Sequence, residues 1–253
     1  MLRRDDLMNG YIIWQDTDLF CFGIDAVLLA HYPSPRRGDN ILDLCTGFAP
    51  VPLILSAEAS KKGYPVRISG IEIQESAASC ARRSVSENGL DDTVRIVTGD
   101  IRKAGEYFAP ASFSLITCNP PYLPVGSGFV SENDSRAAAR TELSCTLKDV
   151  VSAAGRLLKM SGRFAMIHRP ERLPEIFARL EEYRLTPKRM RLVQPRVHEE
   201  PTMVLIEAVR GARSSLKVEA PLIVYENGSS YTEEINAIYG RNTVSGGDAD
   251  RQS

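Results

Sequence analysis

At 253 residues with a formal net charge of −1, the chain is long enough for one large α/β domain, or for a domain with a small appendage. The near-neutral total excludes an overtly basic nucleic-acid binder, although a basic face can hide inside it. Five cysteines, none in a CxxC pair, give no metal-ligand spacing and suit reduced thiols of a cytoplasmic protein. The first residues lead into no long apolar run, so neither a signal peptide nor a membrane span is expected.

In chain order, residues 1–36 read as an N-terminal extension or lid, with a short alternating piece at Tyr11–Trp14. Within it, Phe22-Gly23-Ile24-Asp25-Ala26-Val27-Leu28-Leu29-Ala30 reads as a loop entering an apolar helix. Asp25 near its start suits the helix dipole, as a structural cap or as a cofactor contact. A Pro/Arg/Gly linker, residues 33–38, leads to the buried strand 40–44. That strand turns through Cys45-Thr46-Gly47-Phe48-Ala49-Pro50 into a helix over 51–59. Strand, small-residue turn and helix form the first βα unit of a nucleotide-type fold.

A second strand is expected over 66–73, with Glu72 near its end, and a helix over 75–88 closed by Gly89. A third strand over 94–98 ends at Gly99-Asp100, and a fourth over 113–118 runs into Asn119-Pro120-Pro121-Tyr122. The two prolines stop both strand and helix, which holds Asn119 at the strand's carboxyl end. Asn119 and the Pro120 carbonyl are paired acceptors, suited to a planar amino group such as adenine N6. Tyr122 adds a flat stacking face. Four consecutive strand ends thus carry Asp43, Glu72, Asp100 and Asn119, at the level where ligands bind in open α/β sheets.

A Gly/Ser/Asn-rich loop over 123–142 contains Arg136 and Arg140. A helix over 146–159, a strand over 163–168, a helix over 173–182 and hairpin-like strands at 191–193 and 203–209 follow. Arg184, Lys188, Arg189, Arg191 and Arg196 form a cationic stretch, read equally well as a phosphate-binding patch or a solvated strand face. His168 and His198 are read as structural. Residues 241–253 read as a disordered tail.

Strand-end acids followed by Asn-Pro-Pro-Tyr resemble the class I methyltransferases that alkylate exocyclic or amide nitrogens. The segments 22–30, 43–47, 119–122, 139–143, 220–228 and 231–234 together resemble the bacterial tRNA1(Val) (adenine-37-N6)-methyltransferase family. The resemblance implies a Rossmann-like domain over 37–240, with a seven-stranded, mostly parallel sheet, an antiparallel last strand and helices on both faces. It implies S-adenosylmethionine as cofactor, tRNA as partner through its anticodon loop, and no metal or membrane. Asp43 and Gly47 would shape the methionine pocket, Glu72 would bind the ribose hydroxyls, and Asp100 would face the cofactor adenine, with Asp25 and Asn119 nearby. Asn119, Pro120 and Tyr122 would act on the target base, while Arg136, Arg140, Lys188, Arg189 and Arg191 would hold RNA. The departure from the family pattern is the turn after Asp43, where Cys45, Phe48, Ala49 and Pro50 leave Gly47 as the one glycine. An N-methyltransferase acting on a protein glutamine or on ribosomal RNA, or a non-catalytic binding module, are the alternative readings.

Overall fold

The computed structural model describes residues 1–120, 145–226 and 228–241. Of the expected site residues, Tyr122, Arg136 and Arg140 lie outside these, as does most of the expected tail.

The chain opens with an antiparallel hairpin, β1 (Leu2–Asp6) and β2 (Ile12–Asp16). The helix α1 (Ile24–His31) follows. Five consecutive residues of α1, Ala26 to Ala30, are buried, so the helix is apolar all round and sits inside the protein. It ends with Tyr32 as its cap, because Pro33 has no N–H to donate to the next turn.

The main sheet then forms from β3 (Asn40–Leu44), β4 (Arg67–Glu72), β5 (Val94–Thr98), β6 (Phe113–Cys118), β7 (Leu158–His168), β8 (Leu185–Gln194) and β9 (Met203–Arg210). Helices α2 (Pro50–Lys61), α3 (Glu75–Glu87), α4 (Ala104–Tyr107), α5 (Leu147–Leu157) and α6 (Leu173–Glu182) connect them. The order is β8-β9-β7-β6-β3-β4-β5, all parallel except β9, which is antiparallel to both neighbours. This is the expected seven-stranded sheet with an antiparallel last strand. Two short strands, β10 (Lys217–Val218) and β11 (Leu222–Ile223), extend its edge by pairing with β8. The helix α7 (Glu233–Ile238) closes the described chain.

Alternation along the strands feeds two cores. Ile41, Ile68 and Leu115 face α1, α2 and α3, while Leu42, Leu44 and Ile116 face α5 and α6. Each fully buried Leu or Ile contributes about 1.5–3 kcal/mol, so these layers supply most of the cohesion. The hairpin is seated on α3 by polar contacts too: Ile12 N donates to Asn88 Oδ1 (2.9 Å), and Trp14 N to Ser84 Oγ (2.8 Å).

Two strands start earlier than the sequence pattern suggests. β7 begins at Leu158 rather than 163, because Leu158 pairs with Phe113 before an irregularity at Ser161-Gly162. β8 begins at Leu185 rather than 191, its charged residues masking the strand. From Arg189 and Arg191 the guanidinium groups reach carboxylates on β9, on α7 and beyond β10.

Candidate functional site

The chain runs outward from β3 through β4 to β5, then returns to place β6 on the other side of β3. The sheet order therefore reverses between β3 and β6, and the crevice at their carboxyl ends is where open α/β sheets bind ligands. Asp43 and Asn119 stand at that reversal, Glu72 is the last residue of β4, and Asp100 follows the end of β5.

Asp43 is buried and points inward. Its two oxygens accept hydrogen bonds from Thr46 Oγ1 and Thr117 Oγ1, both at 2.6 Å. Thr117 lies directly opposite it in the β3–β6 register. Burial raises the Asp43 pKa to about 7, against the opposing effect of the two hydroxyls. Its work is to hold the turn that follows β3. That turn alternates through left-handed backbone at Cys45 (φ 56°), Gly47 (φ 56°) and Ala49 (φ 65°). For Cys45 and Ala49 this conformation costs about 1–2 kcal/mol each, since Cβ crowds the carbonyl oxygen. The left-handed steps of a glycine-rich turn are thus kept with Gly47 as its one glycine. The sulfurs of Cys45 and Cys145 lie 3.8 Å apart and all five cysteines are free thiols.

Glu72 is buried beneath the turn. Its Oε2 accepts from Gly47 N and its Oε1 from Gln74 N, each at 2.9 Å. A carboxylate offers about four lone-pair positions, so roughly two remain for a further pair of donors. Asp100 caps a 3₁₀ turn, accepting from Arg102 N, and both of its oxygens also bind the Arg102 guanidinium. The Arg102 contact holds its carboxyl below the ordinary range.

Asn119 Nδ2 donates to Asp25 Oδ2 at 2.8 Å. Asp25 is not the cap of α1: the N-cap is Gly23, with no side-chain bond. A Cβ on Gly23 would lie 2.9 Å from Asp25 Oδ1, so the glycine leaves room for the carboxylate. A carboxylate only accepts, which fixes the amide nitrogen of Asn119 toward Asp25 and its oxygen away. That oxygen, Oδ1, is buried and has no hydrogen-bond partner among the described residues. Pro120 beside it is buried.

The expected RNA contacts on β8 are engaged within the chain. Arg189 pairs with Glu207 and Glu219 (3.4 Å each), and packs over the Tyr32 ring. Arg191 makes a two-pronged pair with Glu234 (2.6 and 2.8 Å), and Lys188 Nζ donates to Ser215 Oγ and the Arg213 carbonyl. Buried His168 has a pKa lowered to about 4, chiefly by desolvation. No group of three or more potential metal ligands occurs among the described residues, and no described helix is long and apolar enough to cross a membrane.

Sequence reasoning missed Thr46, Thr117, Gly70 and Arg102. Thr117 was legible as one of two hydroxyls, with Ser114, in an otherwise apolar strand, and Thr46 as a hydroxyl three residues after Asp43. Gly70 carried no local signal: a Cβ there would meet Thr46 at 2.8 Å, a cross-strand fact.

A sheet of this order, with strand-end carboxylates and Asn119-Pro120 at its reversal point, defines a Rossmann-like class I methyltransferase. Residues 13–184 match the methyltransferase small domain. A Porphyromonas gingivalis tRNA1(Val) (adenine(37)-N6)-methyltransferase is 30% identical over 191 residues, covering 73% of this chain and 72% of its own. A Bacteroides thetaiotaomicron protein of the same name is 27% identical over 224 residues, covering 88% and 90%. Among solved structures, a predicted O-methyltransferase from Agrobacterium tumefaciens superposes with a TM-score of 0.69 at 24% identity, covering 86% of this chain and 96% of its own. The chain belongs to the methyltransferase small domain family, in its branch of tRNA1(Val) (adenine(37)-N6)-methyltransferases.

The cofactor of this class is S-adenosylmethionine, and the residues present fit it. Glu72 keeps lone pairs suited to a vicinal diol. A Cβ built on Gly47 meets nothing within 4 Å, so the turn borders open space at the strand ends.

Proposed function

We propose that this protein transfers a methyl group to the N6 of adenine 37 in the anticodon loop of a tRNA, with tRNA1(Val) as the first candidate. The observation that carries the reading is the buried, unpartnered Oδ1 of Asn119, whose amide is oriented by Asp25. An unpaired buried acceptor costs about 1–3 kcal/mol, a cost relieved when a donor arrives. The exocyclic amino group of adenine is such a donor. The names of the relatives support tRNA as the carrier of that adenine.

S-adenosylmethionine, when bound, supplies an electrophilic methyl group. The chain's own residues present the nucleophile. Asn119 Oδ1 and the Pro120 carbonyl accept the two N6 hydrogens, which draws the nitrogen lone pair out of the ring's conjugation and orients it. Positioning and hydrogen bonding of this kind supply much of the rate in such transfers. No strong base is required, because the surplus proton leaves for solvent after transfer, and His168 is buried and neutral. An adenine in a single-stranded loop also leaves its stack at lower cost than one in a duplex.

The test is methyl transfer from labelled S-adenosylmethionine to total tRNA lacking the modification, read by nucleoside mass spectrometry. N6-methyladenosine mapped to position 37 supports the proposal. Label on ribosomal RNA or on a protein glutamine, with tRNA untouched, overturns it.

A further inference from the structure

The described part of the catalytic edge is acidic. Asp25, Asp43, Glu72 and Asp100 gather there, and Arg102 is already engaged by Asp100. Among the described residues, a basic surface suited to a polyanion is found elsewhere. One groove supplies it.

It lies at the opposite, amino-terminal edge of the sheet, a cleft of about 640 Å³ between the loop after α1, the end of α2 and the strands β7 to β9. Its floor is internally neutralised. Arg163 binds the carbonyls of Pro33 and Ser34 and pairs with Asp39 (3.1 Å) and Glu207 (3.7 Å). Arg189 pairs with Glu207 and Glu219. Asp39 is further committed to Arg36 N and Ser114 Oγ, both at 2.7 Å. The rim is different. Among the described residues, no carboxylate pairs with Arg36, Arg37 or Lys62. Arg37 donates to the Gly63 carbonyl (3.2 Å) and Lys62 to Ser34 Oγ (2.7 Å), both neutral acceptors. Neighbouring Lys61, by contrast, is paired with Glu58 at 2.9 Å. Five cations thus face three carboxylates, and the surplus sits on the exposed rim. Two prolines, at 33 and 35, and the bonds from Arg163 hold the loop that carries it.

We infer that this groove is a binding site for phosphate oxyanions, and that its occupant is the RNA backbone of the substrate. The second half of the inference rests on the tRNA reading above. Guanidinium and ammonium donors around a concave floor suit phosphate, and such contacts position a nucleic acid without reading its bases. The geometry supports the same ligand. α1 runs from Asp25, bonded to Asn119, to Tyr32 and Pro33 at the groove. Eight helical residues span about 12 Å. The residues of α1 between those ends are buried, so an RNA engaging both passes around the surface, and the groove suits backbone beyond the nucleotides next to the target base.

The experiment compares wild-type protein with the triple variants R36E/R37E/K62E and R36Q/R37Q/K62Q, the milder set guarding against misfolding. Steady-state methylation of tRNA is measured across a salt series, with S-adenosylmethionine affinity measured separately and inorganic phosphate titrated calorimetrically. The expected result is a KM for tRNA raised about tenfold and a shallower salt dependence, by roughly 0.7–0.9 in log–log slope for each phosphate no longer neutralised. The kcat and cofactor affinity should hold. An unchanged KM together with phosphate binding that the variants abolish overturns RNA as the occupant and leaves a site for free phosphate. An unchanged KM with no phosphate binding overturns the site altogether. Should wild-type protein methylate no tRNA, the tRNA reading fails by itself, and the phosphate titration still decides the groove.

Discussion

Asn119 Nδ2 and Asp25 Oδ2 meet at 2.8 Å across 94 positions of chain, joining the end of β6 to the start of α1. The bond turns the amide so that its oxygen, not its nitrogen, is left over for a substrate donor. Asn119→Ala should therefore lower kcat about 10²–10³-fold, the usual loss when one oriented hydrogen-bonding group is removed. Asp25→Ala should lower kcat up to about a hundredfold by letting the amide rotate. Asp25→Asn, which keeps one acceptor, should recover part of it. In all three, titration with S-adenosylmethionine should show nearly wild-type affinity. A cofactor affinity that collapses with Asp25→Ala would return Asp25 to the cofactor-contact role.

Gly47→Ala tests the turn after β3. Its φ of 56° makes any side chain strained, by about 1–2 kcal/mol, yet the added Cβ meets no protein atom. Thermal unfolding should shift by only a few degrees, while S-adenosylmethionine binding should weaken by about tenfold or more, equivalent to about 1.4 kcal/mol of binding free energy. Equal losses of stability and affinity would show that the methyl group acts on the fold instead.

Asp43 makes stability depend on pH in an unusual direction. Its folded pKa, about 7, lies above the unfolded value near 3.9, so the native state holds the proton more tightly. Its contribution is fullest below about pH 3.9 and declines as pH rises to about 7, by about 4 kcal/mol at most. His168 acts oppositely. Its folded pKa is lowered to about 4 from an ordinary 6.5, so its contribution is present above 6.5 and is lost as pH falls toward 4. Asp43→Asn should raise the melting temperature relative to wild type, with the larger gain at pH 8 and a smaller one at pH 5. His168→Gln should remove the loss on the acid side. Calorimetric melts of both variants at these two pH values check the signs.

Gly70→Ala would push a methyl to within 2.8 Å of Thr46 and 3.0 Å of Ile96. Overpacking of this kind costs about 1–3 kcal/mol. Because Thr46 holds Asp43, the displacement should also reach the turn at Gly47. A denaturation midpoint lowered with unchanged m-value, together with weaker cofactor binding, is the expected pair of readings.

The βα alternation was legible because each element is coded locally. Apolar runs at 40–44 and 113–118 read as buried strands, Pro50 and Gly89 punctuate helices, and Asn119-Pro120 follows the end of β6. The sequence pattern also placed Asp43, Glu72, Asp100 and Asn119 at one level, since all four lie in or just after the last residues of their strands. What those side chains do there was decided by neighbours distant in sequence. Asp43 faces Thr117 only because β3 and β6 are adjacent, and Asp25 became the partner of Asn119 because α1 packs at their carboxyl ends. Likewise, the cations of β8 were visible as a cluster, yet Glu207, Glu219 and Glu234 engage two of them from other elements. Hydrogen-bonding capacity belongs to a residue and can be read from its letter. Which capacity is taken up within the fold and which is left for a ligand depends on distances that only the folded chain sets.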